Sequence, residues 1–356
     1  MAAVRAYVGK QVKIMAVVKA NGYGHGILPV SRTAVDCGAA YLGVARIEEA
    51  MELRTAGFVV PILVFEVVRA QMLDTAIAHR IELSVSSSRG AGIIDYAAGR
   101  GDTKALVHVK VDTGMGRLGI DHRAAVALIE SVARSKSLVL AGVYSHFATS
   151  EQPDKTFAGV QLDRFQAVMQ ELQRRRIDVP LSHMANSGAI ISLPDSHFTM
   201  VRPGIMLYGY TPGNGMDSPY SLKPVLSLLS TVSLIKNVGK GMGISYGQKF
   251  VTTQPTRIAT VPIGYGDGYP RMLTGKADVL IRGKRYPVVG TICMDHVMVD
   301  VGEDSAVEEG DEVTLIGRSE RETISAWDIA GRLGTIPYEV TCMINQRVPR
   351  VCTGEK

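Results

Sequence analysis

Short apolar runs rich in β-branched residues recur along the first two-thirds of the chain: "VKIMAVV", "AYLGVA", "VPILVF", "RIELSV", "ALVHVKV", "LVLAGVYSHF", "LSHMAN" and "FTMVRPG". Each has the length of a strand buried on both faces. Between them lie segments of helical period such as "ARIEEAMELRTAG" and "DHRAAVALIESVARS", closed by glycine or a polar cluster. Eight strand-like runs alternating with helix-length segments predict an α/β fold, a parallel (β/α)8 barrel rather than a doubly wound sheet.

The rhythm changes at "RPGIMLYGYTPGNGMDSPYSLKP", a stretch rich in Gly, Pro and Ser that reads as a linker. A boundary near residue 221 gives a barrel over 1–220 and a second domain over 221–356. That domain carries "LSLLSTVSLIKNV", "TRIATVPI", "ADVLIRGKRYPVVG", "HVMVDVG" and "DEVTLIG" with no helices between them, the pattern of a mostly antiparallel β domain. One helix, "ISAWDIAGRLG", follows, with its N-cap expected around Thr323.

At 356 residues the chain is longer than one hydrophobic core usually grows, in keeping with two domains. Its 39 basic and 34 acidic residues are interspersed, and the one basic run, Arg174 to Arg176, falls at a helix end, so no nucleic-acid partner is expected. No stretch is apolar for long enough to span a bilayer, and the N-terminus lacks an export signal, so the expected location is the cytoplasm. Cys37, Cys293, Cys342 and Cys352 show no metal-ligand spacing, and no metal is expected.

Candidate chemistry starts at "MAVVKANGYGHG". If "VKIMAVV" is the first barrel strand, Lys19 stands at its C-terminal end, where barrel enzymes build their active sites. Partial burial there penalises the ammonium, and a neutral amine condenses with aldehydes to a Schiff base. The glycines that follow let backbone approach a ligand, with Tyr23 and His25 nearby. On the residues alone, a lysine snorkelling at a strand end remains an alternative.

"VVKANGYGHG" resembles the cofactor-lysine signature of alanine racemases, enzymes with a pyridoxal-phosphate (PLP) barrel followed by a β domain. Further matches run in the family's order: "VKVDTGMGRLG", "YSHFATS", "HMANSGAI", "MVRPGIMLYG", "GISYGQ", "VPIGYGDGYPR", "GTICMDHVMVDV" and "IPYEVTCMI". The resemblance implies that Lys19 binds PLP and exchanges a proton with the substrate α-carbon. It places the cofactor phosphate with Tyr23, Ser187, Gly204, Ile205 and Tyr338, Arg202 at the pyridine nitrogen, and His146 beside the ring. Ser187 also reads as a helix N-cap, Arg202 as a structural arginine before a turn, and His146 as a core histidine.

Inverting a stereocentre needs a second acid/base facing Lys19 across the cofactor plane, and by resemblance this is Tyr246, otherwise a tyrosine in a β-domain loop. The same resemblance implies a homodimer with shared active sites, each barrel receiving Tyr246, Tyr265 and Met294 from its partner. Met294 and Arg117 would hold the substrate carboxylate, Tyr265 would narrow the entrance, and Lys110, costly as an unpaired charge inside a barrel, would be carbamylated. The implied activity is interconversion of L- and D-alanine for peptidoglycan. Racemisation of serine or another amino acid, and a non-catalytic PLP-binding role, are the rivals.

Two departures stand out. Only 18 residues precede Lys19, where the resemblance implies a strand and a long helix, so a shortened N-terminus is expected. Gly22 and Gly266 replace the commoner alanine, changes that remove only a methyl and should leave the chemistry intact.

Overall fold

The computed structural model describes residues 1–216, 219–303 and 306–353. It divides into two compact units, Met1–Lys223 and Pro224–Lys356.

In the first unit eight parallel strands form a closed barrel: β1 (Lys13–Val17), β2 (Tyr41–Val44), β3 (Ile62–Val64), β4 (Glu82–Val85), β5 (Ala105–Asp112), β6 (Leu138–Tyr144), β7 (Ser182–His183) and β8 (Met200–Val201). Each pairs with the next, and Lys13 and Ile14 pair with Met200 and Val201 to close the ring. All eight runs expected from the pattern are barrel strands. Helices follow the first seven, among them Ile47–Thr55 after β2 and Thr156–Arg174 after β6. A 3-10 turn, Ile205–Tyr208, follows the eighth.

Alternation along each strand separates two cores. Ile14, Ala16, Ile62, Val64, Leu83, Val85, Val107, Val109 and Val111 join the cluster under the helices. Met15 and Leu63 face the barrel interior with Leu181 and Met200. On β4 and β5 the inward positions are instead polar, Glu82, Ser84, His108 and Lys110, all buried. A buried polar group without a partner costs several kcal/mol, roughly 2–7, so these side chains must satisfy one another.

The second unit is antiparallel: β9 (Leu228–Thr231), β10 (Leu234–Val238), β11 (Thr256–Val261), β12 (Asp278–Ile281), β13 (Lys284–Val289), β14 (Val297–Gly302), β15 (Glu312–Ser319) and β16 (Glu322–Ile324). "LSLLSTVSLIKNV" is two strands rather than one, and they lie at opposite ends of the sheet path. "ADVLIRGKRYPVVG" folds back at Arg282 and Gly283, both left-handed (φ 49° and 71°), as a tight hairpin with right-twisted strands requires.

Helix Ala326–Leu333 is capped by Ser325, not by Thr323, which belongs to β16. Ser325 Oγ accepts the Asp328 N–H at 3.1 Å while Asp328 Oδ2 accepts the Ser325 N–H at 2.7 Å. That reciprocal pair outcompetes the earlier threonine because it satisfies two donors at once. A second helix, Pro337–Met343, was not foreseen from the pattern. Among the described residues no helix is long and apolar enough to cross a membrane.

Candidate active site

Lys19 stands two residues past the end of β1 and is half-buried. The next residues, Ala20, Asn21, Gly22, Tyr23 and Gly24, all have positive φ, between 52° and 83°. Left-handed backbone costs a non-glycine residue roughly 1–2 kcal/mol, so the run persists only because its surroundings fix it. Asn21 Oδ1 accepts the Ile27 N–H at 2.9 Å, and Gly26 N donates to Asn21 O at 2.9 Å. At the start of the run, Ala20 N donates to Glu49 Oε1 at 2.6 Å.

This turn carries Tyr23 inward, where its ring stacks on Tyr208 with centroids 4.8 Å apart. Its hydroxyl lies over Gly204, where an added Cβ would come within 2.6 Å of the oxygen. Ser187 Oγ accepts the N–H of Gly204 at 2.9 Å and that of Met206 at 3.4 Å. Tyr23, Ser187, Gly204 and Ile205 are all buried. The N-cap of the short helix that Ser187 begins is Asn186, which accepts from Ala189 N at 3.0 Å, so the serine is released from capping. The tyrosine and serine hydroxyls and the backbone around a side-chain-free Gly204 form a cradle suited to a phosphate, which fits PLP.

Arg202 is buried beyond β8. Its Nη1 donates to His183 Nδ1 at 2.8 Å, and its Nη2 donates to Ser145 O at 2.6 Å, Met184 O at 3.1 Å and His146 Nδ1 at 3.2 Å. Burial lowers its pKa to about 10, which leaves it cationic near neutrality. Burial also holds His146 well below the usual histidine range, with Arg202, Lys110, Arg117 and Lys19 adding repulsion. His146 is therefore neutral, and since its Nδ1 accepts from Arg202 the proton sits on Nε2. An arginine facing a pyridine nitrogen donates a hydrogen bond without giving up its proton, so Arg202 suits that place.

Lys110 points inward from β5, its Nζ donating to Val111 O at 3.2 Å and lying 5.2 Å from the Tyr144 ring centroid. Burial, then the positive charges of Arg202 and Arg117, bring its pKa down to about 7, against a partial offset from Asp112. Arg117 itself is exposed on the loop after β5. Asp112 shapes that loop by accepting the N–H groups of Gly114 at 2.9 Å and Gly116 at 3.1 Å.

The second unit gathers three of the expected residues on adjoining loops. Thr291 Oγ1 donates to Tyr246 O at 2.7 Å, Tyr265 N to Cys293 O at 3.0 Å and Gly266 N to Met294 O at 2.9 Å. Tyr246, Tyr265 and Met294 are exposed by 71%, 43% and 52%, an unusual concentration of large side chains at one surface. Tyr338 is half-buried on helix Pro337–Met343 of the same unit.

Glu49, Glu82, His108 and His183 were missed from the sequence. The last three fall inside strand-like runs, where a polar residue at an inward position was a usable signal. Glu49 sits in an ordinary charged helix start and offers none.

The profile described as "Alanine racemase, N-terminal domain" matches residues 1–212 and that described as "Alanine racemase, C-terminal domain" matches residues 225–352. Alanine racemase 2 of Caldanaerobacter subterraneus subsp. tengcongensis is 42% identical over 349 residues, 98% of this chain and 90% of the relative. Among solved structures, an alanine racemase of Clostridium difficile superposes with a TM-score of 0.93 at 38% identity, covering 98% of this chain and 90% of that one. A histidine racemase from Leuconostoc mesenteroides subsp. sake gives 0.89 at 28% identity, covering 98% and 93%. With one alanine racemase profile over 1–212, a second over 225–352 and a relative 42% identical across nearly the whole chain, the chain belongs to the alanine racemase family.

Proposed function

We propose that this enzyme interconverts L- and D-alanine with bound PLP, in the cytoplasm, supplying D-alanine for peptidoglycan. The observation that carries the reading is the buried cradle of Tyr23, Ser187 and Gly204 beside Arg202 in the same barrel that bears Lys19. When bound, PLP supplies the electron sink that makes the substrate α-proton removable.

Lys19 would carry the cofactor and hold or deliver a proton at Nζ on one face of the α-carbon. Arg202, donating without protonating, keeps that sink moderate, which limits side reactions. The opposite face needs its own acid/base, and the exposed Tyr246 suits the role if lent between subunits, so that the partner subunit's Tyr246 completes each site. The joint exposure of Tyr246, Tyr265 and Met294 supports such a homodimer. Arg117 and the N–H of Met294 would bind the substrate carboxylate, and Tyr265 and Tyr338 would limit side-chain size. A neutral Lys110 amine can take up CO2, releasing a proton and leaving a carbamate that pairs with Arg117.

The test is incubation of the PLP-loaded protein with L-alanine in D2O. Racemisation accompanied by deuterium at the α-carbon is expected, and Lys19→Ala and Tyr246→Phe should each abolish it. PLP binding without exchange would favour a carrier role. The likeness to a histidine racemase favours a second reading with a different amino acid, which initial rates on L-alanine, L-serine, L-lysine and L-histidine would separate.

A further inference from the structure

We infer that Glu82 is a positioning residue for this reaction: through His108 and His183 it terminates a chain of ordered protons that holds Arg202 in place. The inference rests on the racemase reading above.

The chain crosses the barrel interior. Arg202 Nη1 lies 2.8 Å from His183 Nδ1, His183 Nε2 lies 2.9 Å from His108 Nδ1, and His108 Nε2 lies 2.6 Å from Glu82 Oε2. Both imidazoles are fully buried, and Glu82 nearly so. It runs from beyond the C-terminal end of β8 to the first residue of β4, at the opposite end of the barrel.

Donor accounting fixes every proton along it. A guanidinium has donors and no acceptor, so His183 Nδ1 must accept. His183 then carries its proton on Nε2 and donates to His108 Nδ1, which must accept in turn. The His108 proton is thereby placed on Nε2 and given to Glu82. The reverse order fails, because a proton on His108 Nδ1 would face the N–H of His183 or force an N–H on His183 Nδ1 against Arg202. Burial and the Arg202 charge, holding His183 well below the usual histidine range, agree with a neutral ring.

The surroundings leave the chain little freedom. His183 stacks on Tyr144 with centroids 4.9 Å apart and planes 2° from parallel. Tyr144 in turn is anchored by Ser84 Oγ at 2.7 Å, and Ser84 donates to Val64 O at 2.7 Å. Burial, then the negative charge of Glu82, hold the Tyr41 hydroxyl protonated. Among the cations, the Arg54 guanidinium interacts electrostatically with Glu82. Glu82 is thus the acceptor of the His108 N–H, and its removal would strand that donor and release the order of both rings.

Neutron diffraction from crystals of the PLP-loaded enzyme in D2O reads the protons directly. Deuterium on Nε2 of both His108 and His183, with none on either Nδ1, is expected; density on Nδ1 of either ring overturns the inference, whatever the enzyme's activity. Kinetics give the second arm. Folded Glu82→Leu should lose about tenfold in kcat, the scale of one stranded buried donor, with KM changed by less than about twofold. Glu82→Gln, whose carbonyl can still accept from His108, should recover to within about threefold of the parent. Wild-type kcat in Glu82→Leu, or Glu82→Gln as impaired as the leucine variant, refutes the role. An inactive parent with the expected protons would instead count against the racemase reading alone.

Discussion

Glu49 Oε1 accepts the backbone N–H of Ala20 at 2.6 Å, binding the helix after β2 to the residue that follows Lys19. Its other oxygen accepts Ala45 N at 2.8 Å and Arg46 N at 3.1 Å, so one carboxylate ties two strand-to-helix loops together. Glu49→Ala should cost about 2 kcal/mol, the scale of hydrogen bonds to a charged group, and loosen the left-handed turn that carries Tyr23. Denaturant titration and PLP retained after dialysis measure the two effects. If both match the parent, the strap has no consequence.

Gly204 has no room for a side chain. Alanine there would bring Cβ to 2.6 Å from Tyr23 Oη and 3.2 Å from Cζ, and the tyrosine is pinned by its stack on Tyr208. Gly204→Ala should destabilise the barrel by about 1–3 kcal/mol and weaken PLP binding far more than it changes secondary structure. Equilibrium dialysis against PLP, with circular dichroism as control, decides it.

Lys110 gives a pH signature. Its pKa falls from the ordinary 10.5 to about 7 in the folded chain, mainly through burial. Between those values the unfolded chain holds a proton that the folded one lacks, so this residue's contribution to unfolding free energy rises with pH across that window. Below about 7 both states are protonated and the cost of burying the cation is felt in full. In CO2-free buffer, the stability advantage of Lys110→Met over the parent should therefore shrink from pH 7 to pH 10. A pH-independent difference would contradict it. In bicarbonate, native mass spectrometry should show the parent, and not the variant, heavier by one CO2.

Gly268 tests the β unit. Its φ is 95°, and an added Cβ would sit 2.0 Å from Met343 O, which is backbone and cannot step aside. Gly268→Ala should destabilise this unit by at least about 3 kcal/mol and displace the neighbouring turn that carries Tyr265. Limited proteolysis of the variant should then cut within residues 224–353 while sparing the barrel.

Much of the fold was legible because inward and outward positions alternate along each run. Ile14 and Ala16 against Met15, or Val107 and Val109 against His108, announce a strand covered on both sides. The place of Lys19 was legible for a related reason, since barrel topology puts residues that follow strands at one rim, whereas Ser187 and Arg202 were singled out through the family resemblance. Local chemistry was harder to read. The choice of Ser325 over Thr323 as a cap turned on a reciprocal bond with Asp328, and the split of "LSLLSTVSLIKNV" turned on which distant strands its halves pair with.

The sequence by itself determined the order of strands and helices, the two-part organisation and the set of residues presented at the strand ends, since these depend on spacing within short segments. Tertiary structure alone decided that Glu82, His108, His183 and Arg202 meet, and that Glu49 reaches Ala20 across 29 residues. Alternation tells which face a side chain takes but not its height in the barrel. That height follows from the lateral register of β4 with β5, β6 with β7 and β7 with β8, which is fixed only when the ring closes.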